Sequence, residues 1–315
     1  MNTEADTCRK FVVPGLQAAG WDNAPHAINE QRTFTDGRVI FVGGRARRGR
    51  QKRADYILRY SADYPIAVVE AKASYKSAAD GLQQAREYAE ILGLKFAIAT
   101  NGAEIVEFDF FTGAETLRTD FPAPAELWAR QRAGLGLADD AAADRLLTPG
   151  FPDPGKPLRY YQEGAVNQAL QAILTGRRRA LLTLCTGAGK TAVAFQIAWR
   201  LWSAGWNKRG DFRKPKILFL ADRNILVDDP MGKTFAPFGT PASKSRMVSS
   251  ARAATSISRS IKPSPATNEG RASIANTRAT SSISSSSTNA IAAARATTAA
   301  GGRSWSISSR HISSA

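Results

Sequence analysis

Residues 64–73 read YPIAVVEAKA, a short apolar run that ends in two charged residues. The IAVV run has the length and composition of a buried strand, because β-branched residues favour strands. Glu70 and Lys72 are two residues apart, so both side chains lie on the same face of that strand. Burying an acid and a lysine is costly unless they are paired or bind something. The stretch therefore predicts a buried strand that delivers a charged pair to a site.

The segments around this strand predict an α/β fold. ADYILRY (54–60) alternates like a strand, and AADGLQQAREYAEILG (78–93) has the apolar spacing of an amphipathic helix closed by its final glycine. KFAIATNG (95–102) and EIVEFDFF (104–111) predict two more strands that meet at an Asn-Gly turn. A first helix is predicted over residues 4–20.

An aspartate on the neighbouring strand suggests a metal site. Asp55 would bring a second carboxylate beside Glu70 and the ammonium of Lys72. Two carboxylates can hold Mg²⁺, the metal can lower the pKa of a bound water, and the lysine can orient that water or stabilise charge on a phosphate. An ordinary ion pair at a strand end is the alternative for an isolated Glu-x-Lys pattern. Glu4 on the first helix is a further candidate acid, although an acid there also suits the helix dipole.

Cations and glycines alternate in GGRARRGRQKR (43–53), directly before Asp55. Such a run is typical of a solvated loop. It also suits contact with DNA phosphates, which supply the largest nonspecific part of DNA affinity. The candidate DNA contacts in this run are Arg45, Arg47, Arg48, Arg50, Lys52 and Arg53.

A glycine loop further along the chain predicts a nucleotide site. A predicted strand, ALLTL (180–184), precedes CTGAGKT and a long amphipathic helix from Thr191. This order is the setting of a phosphate-binding loop, in which backbone N–H groups close on phosphate, the lysine reaches the β- and γ-phosphates and the threonine hydroxyl binds Mg²⁺. The candidate ATP-binding residues here are Thr186, Gly187, Ala188, Gly189, Lys190 and Thr191, with Thr191 on the metal.

The joint pattern of these residues resembles known families. Asp55, the Glu70-Ala71-Lys72 tripeptide and the helix residues Gln84 and Tyr88 resemble the D…(E/D)xK nuclease fold with the QxxxY motif of its RecB-like branch. Ala54 stands where that family often has proline. The TGAGKT loop resembles the superfamily 2 helicase variant of the phosphate loop, with Leu184 at the position where a stricter pattern has glycine.

The resemblance assigns further roles. It makes Asp55 and Glu70 metal ligands and Lys72 the cation that orients water, with Gln84 and Tyr88 positioning DNA backbone or that lysine. Gln162 resembles the Q-motif glutamine that reads adenine. Arg223, in an Asp-Arg-Asn triplet after the apolar run 216–221, resembles a DNA-backbone contact of helicase motif Ia. In its plainer interpretation that segment is the next βα unit of a Rossmann-like sheet.

A nuclease followed by a superfamily 2 motor resembles the R subunit of type I restriction-modification enzymes over residues 1 to about 239. The resemblance implies cleavage of unmodified double-stranded DNA with Mg²⁺ and ATP, in a cytoplasmic complex with methyltransferase (M) and specificity (S) subunits. The domain prediction is as follows: a nuclease domain over 1–120, a linker over 121–157, part of RecA-like lobe 1 over 158–239 and a low-complexity, disordered tail over 240–315. Alternatives are a stand-alone Mg²⁺-dependent nuclease with a regulatory nucleotide segment, and a decayed DNA- or ATP-binding module.

The composition fits an intracellular protein with an anomalous tail, and the positive charge outside the tail suits either a polyanionic partner or ordinary solubility. The formal net charge is +16, but residues 240–315 hold ten Lys and Arg against one acid and include 21 serines. Two cysteines and two histidines form no ligand cluster, so neither a disulfide framework nor a zinc site is expected. No signal peptide or membrane span is expected, because the chain has no long apolar run.

The tail permits a second interpretation, as a translation in the wrong reading frame. A one-base shift of codons for 288–305 permits the string DECHRGSARDDSRWREIL, which resembles the motif II region of these R subunits. The sequence then predicts a truncated, ATPase-deficient product with a frameshift near Gly239.

Overall fold

A computed structural model describes residues 2–35, 39–42, 45–48, 51–137, 139–185, 187–207, 214–221 and 225–238, and three short strands beyond them. Two compact units are present, residues 1–180 and 181–315. The first unit contains β1 (Ala27–Thr35), β2 (Val39–Val42), β3 (Arg45–Arg48), β4 (Gln51–Ser61), β5 (Tyr64–Ala71), β6 (Phe96–Thr100), β7 (Ile105–Asp109) and β8 (Ala114–Arg118). Its helices are α1 (Glu4–Thr7), α2 (Val13–Ala18), α3 (Ala79–Leu92), α4 (Pro124–Leu135), α5 (Asp140–Leu146) and α6 (Tyr160–Leu174), and a π-helical segment (Cys8–Val12) joins α1 to α2.

A six-stranded sheet forms the centre of the first unit. Its strand order is β1-β4-β5-β6-β7-β8. All neighbours are antiparallel except β5 and β6, which are parallel. Helix α3 makes the crossover between these two strands and ends at Gly93, whose φ of 72° is a left-handed conformation that glycine adopts without strain. The predicted strands and the predicted helix over 78–93 are therefore present at these positions.

The segment predicted as a linker contributes to the core of the first unit. Its residues form α4 and α5, in which Leu127 and Leu146 are fully buried. The Trp21 indole, also fully buried, donates a hydrogen bond to the Pro122 carbonyl over 2.8 Å. The Pro and Gly residues of this segment therefore separate short helices, and apolar residues between them find partners on the sheet.

The second unit contains α7 (Lys190–Ser203), β9 (Ile217–Ala221) and α8 (Ile225–Gly232), followed by a 3-10 turn (Ala236–Phe238). The strand predicted over 180–184 is absent, and these residues have no regular structure. Leu181 is 44% exposed, and a strand forms only where a neighbour completes its hydrogen bonds. Strand β9 pairs instead with β11 (Thr255–Arg259) on one side and with β12 (Asn289–Ala290) on the other. Strand β11 pairs in turn with β10 (Ser243–Arg246).

The tail thus supplies backbone partners to the edges of β9, whose unpaired N–H and C=O groups accept a strand of almost any composition. The rest of the predicted disordered tail, from 240 to 315, lies outside the described residues.

Candidate functional site

Pairing of β4 with β5 brings the two predicted carboxylates together. Tyr56 pairs with Val69, so Asp55 and Glu70 flank the same point on neighbouring strands. The Asp55 amide donates to Glu70 Oε1 over 3.2 Å, and the Ala71 amide donates to Asp55 Oδ2 over 2.9 Å. Each carboxylate is thereby fixed by the backbone of the opposite strand.

Lys72 follows the last residue of β5, and hydrogen bonds hold both its backbone amide and its side-chain ammonium. Its amide donates to the Thr100 carbonyl over 2.7 Å. Its Nζ donates to Gln84 Oε1 on α3 over 2.9 Å. The Gln84 amide nitrogen in turn donates to Glu70 Oε2 over 2.8 Å and to Tyr88 Oη over 3.0 Å. All five residues predicted for this site therefore share one hydrogen-bonded cluster, with Gln84 at its centre.

Burial changes the ionisation of the carboxylates. Glu70 is 1% exposed; burial first, and the charge of Asp55 second, raise its pKa to about 8. Burial also raises the pKa of Asp55, against the hydrogen bond from Ala71. The charge of Glu4 acts in the same direction on both groups, which is consistent with its prediction as a further acid near the site.

The residues of the cluster fit a magnesium ion. Two carboxylates whose negative charge is disfavoured by burial and by each other would be stabilised by a cation between them. No group of three or more His, Cys, Asp or Glu with metal-binding placement occurs within the described ranges. Mg²⁺ usually binds through one or two carboxylates and takes its other ligands from water and phosphate.

A glycine on α3, which the sequence interpretation missed, makes room for the lysine. A Cβ on Gly81 would lie 3.1 Å from Lys72 Cγ, 3.2 Å from Lys72 Cε and 3.3 Å from Ala99 Cβ. Only glycine therefore leaves the lysine stem its present path between helix and sheet. The signal in the sequence was a glycine near the start of a helix, where it costs stability unless a close approach requires it.

The predicted DNA contacts are only partly covered by the structure. Lys52 Nζ lies 3.0 Å from Glu87 Oε2 and 5.5 Å from the centre of the Tyr88 ring, so its charge is shared with α3. Arg53 is exposed. The side chains of Arg45, Arg47, Arg48, Arg50 and Arg223 lie outside the described residues.

The glycine loop of the second unit has part of the geometry expected of a phosphate loop. Gly187 and Gly189 have φ of 80° and 82°, and α7 begins directly after Gly189. Lys190 Nζ donates to the carbonyls of Leu184 and Cys185 over 3.0 and 3.2 Å, and burial lowers its pKa. Ala188 and Thr191 lie within the same turn, and Thr186 lies outside the described residues. The loop therefore presents backbone amides at a helix start, with the lysine folded onto the loop.

Gln162 and the glycine loop belong to different units of the chain. The sequence predicts a second domain that starts at residue 158, but α6 with Gln162 belongs to the first unit, which ends at residue 180. The loop belongs to the second unit. Gln162 Oε1 accepts a hydrogen bond from the Arg159 amide over 2.9 Å, which caps the helix.

Two family models match the chain. The type I restriction enzyme R protein N terminus matches residues 44–119, which include the five-residue cluster. The type III restriction enzyme res subunit matches residues 155–295, which include Gln162, the glycine loop and part of the tail.

Similar proteins agree with these matches. The EcoAI endonuclease subunit of a type I restriction enzyme from Escherichia coli is 43% identical over 252 residues, which cover 77% of this chain and 30% of the relative. The corresponding EcoKI subunit from Escherichia coli K12 is 40% identical over 84 residues, 27% of this chain and 6% of the relative. A solved fragment described as the HsdR subunit of a type I restriction enzyme from Vibrio vulnificus YJ016 is 55% identical with a TM-score of 0.65, covering 75% of this chain and 43% of that one.

The chain corresponds to the N-terminal region of type I restriction enzyme R subunits. It spans less than a third of the length of the curated relatives. The structural neighbour supports the mixed α/β architecture, and the res-subunit match supports a helicase-like region after residue 155. Among the described helices, none is long and apolar enough to cross a membrane.

Proposed function

We propose that the first unit is a Mg²⁺-dependent nuclease that cleaves unmodified double-stranded DNA as the restriction part of a cytoplasmic type I complex with M and S subunits. The observation that carries the proposal is the cluster of Asp55, Glu70 and Lys72 held together by Gln84. Carboxylates for a metal beside a lysine for a phosphate are the components that phosphodiester hydrolysis requires.

Each side chain has a distinct task in this proposal. Asp55 and Glu70 would hold Mg²⁺, which supplies Lewis-acid stabilisation of the phosphate and a more acidic bound water. Lys72 presents a positive charge where negative charge develops on the phosphate, and Gln84 holds that ammonium in place. Tyr88 fixes the Gln84 amide and thereby its orientation.

Nicking of supercoiled plasmid by the full chain with Mg²⁺ tests the proposal. Lys72→Met is expected to abolish nicking and to leave DNA binding largely intact. Lys76→Met is the matched control, because Lys76 is exposed in the same loop and the bonds given for it are made by its backbone. Its amide donates to the Ala73 carbonyl over 2.9 Å, and its carbonyl accepts from the Asn101 side chain over 2.8 Å. Equal nicking by Lys72→Met and the wild type would exclude the site.

The same experiment separates the alternatives. Nicking by the chain alone, without ATP or other subunits, favours a stand-alone nuclease. DNA binding without cleavage under Mg²⁺ or Mn²⁺ favours a decayed binding module. Cleavage only on addition of M and S subunits and ATP favours the type I complex.

For the second unit we propose ATP binding at the glycine loop, with Lys190 on the phosphates and Thr191 on Mg²⁺, and DNA translocation as the motor's role in the complex. The sequence after residue 239 contains Glu269 as its only acid, and a motor of this class needs an acidic motif for ATP hydrolysis. We therefore expect this sequence to bind ATP without hydrolysing it.

The tail is proposed to be out of frame from near Gly239. The res-subunit match extends to residue 295 in the present frame, which weighs against a shift before that residue. The gene sequence is therefore the direct test. A one-base shift that opens a frame encoding Asp-Glu-Cys-His at 288–291 would support the proposal. Absence of any such frame would refute it.

A further inference from the structure

Helix α6 is part of the first unit and packs near α3, the helix that carries Gln84 and Tyr88 of the five-residue cluster. Its first residue, Tyr160, contacts the last residue of β1 through its hydroxyl. The Thr35 amide donates to Tyr160 Oη over 3.2 Å, and the Thr35 hydroxyl lies 2.9 Å from the same oxygen. These bonds fix the position of the Tyr160 ring relative to the sheet.

A chain of aromatic rings leads from Tyr160 to the cluster. The Tyr160 ring centre lies 6.0 Å from that of Phe34, which is 2% exposed. Phe34 meets the Tyr88 ring edge to face, at 5.0 Å and 90°, a preferred geometry for aromatic pairs. Tyr88 Oη accepts the hydrogen bond from Gln84, which also contacts Lys72 and Glu70.

The remainder of α6 is anchored away from this chain of rings. The Arg59 guanidinium forms two hydrogen bonds to the Glu163 carboxylate, over 2.6 and 2.9 Å. The Asn167 amide donates to the Asp63 carbonyl over 3.0 Å. Removing the Tyr160 hydroxyl therefore leaves the helix attached and changes only the contact at its first turn.

We propose that Tyr160 and Phe34 are positioning residues for the nuclease site, which act through Tyr88 and Gln84 on the placement of Lys72. The inference rests on the proposed nuclease function for the reaction that it adjusts. The Tyr88 ring packs against Phe34 and lies under Lys52 Nζ, and its hydroxyl bonds to Gln84, so a shift of Phe34 moves the ring and with it the acceptor of Gln84.

Tyr160→Phe and Tyr161→Phe form a matched pair in the full chain. Each removes one hydroxyl from the same helical turn, but Tyr161 Oη accepts only from the Arg159 guanidinium, at the surface, over 3.3 Å. Tyr160→Phe is expected to lower the kcat of nicking about fivefold with KM for DNA unchanged, the order expected for a sub-ångström displacement. Tyr161→Phe is expected to match the wild type.

A double variant shows whether the effect passes through Tyr88. Tyr88→Phe removes the acceptor of Gln84, so adding Tyr160→Phe to it should lower kcat no further. Additive losses would overturn the proposal, as would equal losses in Tyr160→Phe and Tyr161→Phe.

Hydrogen exchange of α3 gives a measurement that does not depend on cleavage. Tyr160→Phe should speed exchange of the α3 amides, and Tyr161→Phe should not. If the wild type fails to cleave but exchange responds in this way, the proposed function fails and the link from α6 to α3 stands. Wild-type exchange in Tyr160→Phe would overturn the link, whatever the cleavage result.

Discussion

Replacing Gly81 by alanine should slow cleavage while leaving the protein as stable as before or more so. The added Cβ would meet the Lys72 stem at 3.1 and 3.2 Å and Ala99 Cβ at 3.3 Å, all tighter than an ordinary van der Waals contact. Ala99 is fully buried in β6 and cannot move away. Lys72 must therefore yield by a few tenths of an ångström, which weakens its 2.9 Å bond to Gln84.

The two consequences of this substitution have opposite signs. Displacement of a positioned catalytic group by 1 Å costs about a hundredfold in rate, so a shift of a few tenths should cost about three- to tenfold in kcat. Alanine is favoured over glycine within a helix by up to about 1 kcal/mol, which offsets the crowding. A general loss of folding would instead lower both activity and stability.

Gly164→Ala is the matched control, because its Cβ would come no closer than 3.5 Å to the Leu92 carbonyl. It should raise the urea midpoint and leave the single-turnover nicking rate unchanged. If Gly81→Ala cleaves at the wild-type rate, the space beside Lys72 has no catalytic role and the reasoning is refuted.

Three further predictions concern ionisation, stability and nucleotide binding. The pKa of Glu70 is raised from 4.5 in the unfolded chain to about 8 in the fold, so the metal-free protein should lose stability as pH rises through that window, by at most about 1.4 kcal/mol per pH unit. In urea unfolding with EDTA, the free energy of unfolding of Glu70→Gln should depend less steeply on pH than that of the wild type. An equal slope in the two proteins would contradict the raised pKa. Arg59→Ala should destabilise by about 3 kcal/mol, because it leaves the partly buried Glu163 carboxylate without its partner. Arg9→Met, at an exposed pair, should change stability by under about 1 kcal/mol, and equal effects in denaturant titrations would refute the distinction. Lys190→Ala should abolish binding of a fluorescent ATP analogue, and retained affinity would exclude the loop as the nucleotide site.

The centre of the fold was predictable because its residues carry unambiguous local signals. The apolar run of β5 and the glycine that closes α3 each specify one structure, and the two-residue spacing of Glu70 and Lys72 places both on one face. Strand β1 was missed because it is mostly polar at an edge of the sheet, with Phe34 as its one buried residue. Its value to the site comes from a contact with Tyr88, more than 50 residues away along the chain, which no local pattern reports.

The limits of the units were harder to predict. Proline and glycine in 121–157 indicate breaks between helices, and they do not distinguish a linker from short helices packed on a core. Pairing of residues 180–184 depends on neighbouring strands, so their apolar composition alone did not determine their structure. The role of Gly81 depends on the path of the Lys72 stem and became visible only in three dimensions.

The attachment of α6 through the Arg59–Glu163 ion pair bears on how such enzymes could exchange parts. The two family matches leave a gap between residues 119 and 155. A designer of chimeric enzymes would therefore choose that gap to join the N-terminal part of one parent to the motor of another. A junction at that point would transplant α6 with the motor and separate Glu163 from its arginine. A chimera that keeps residues 1–180 from a single parent retains both members of the pair, so recombination in this family should be tolerated after α6 and selected against before it.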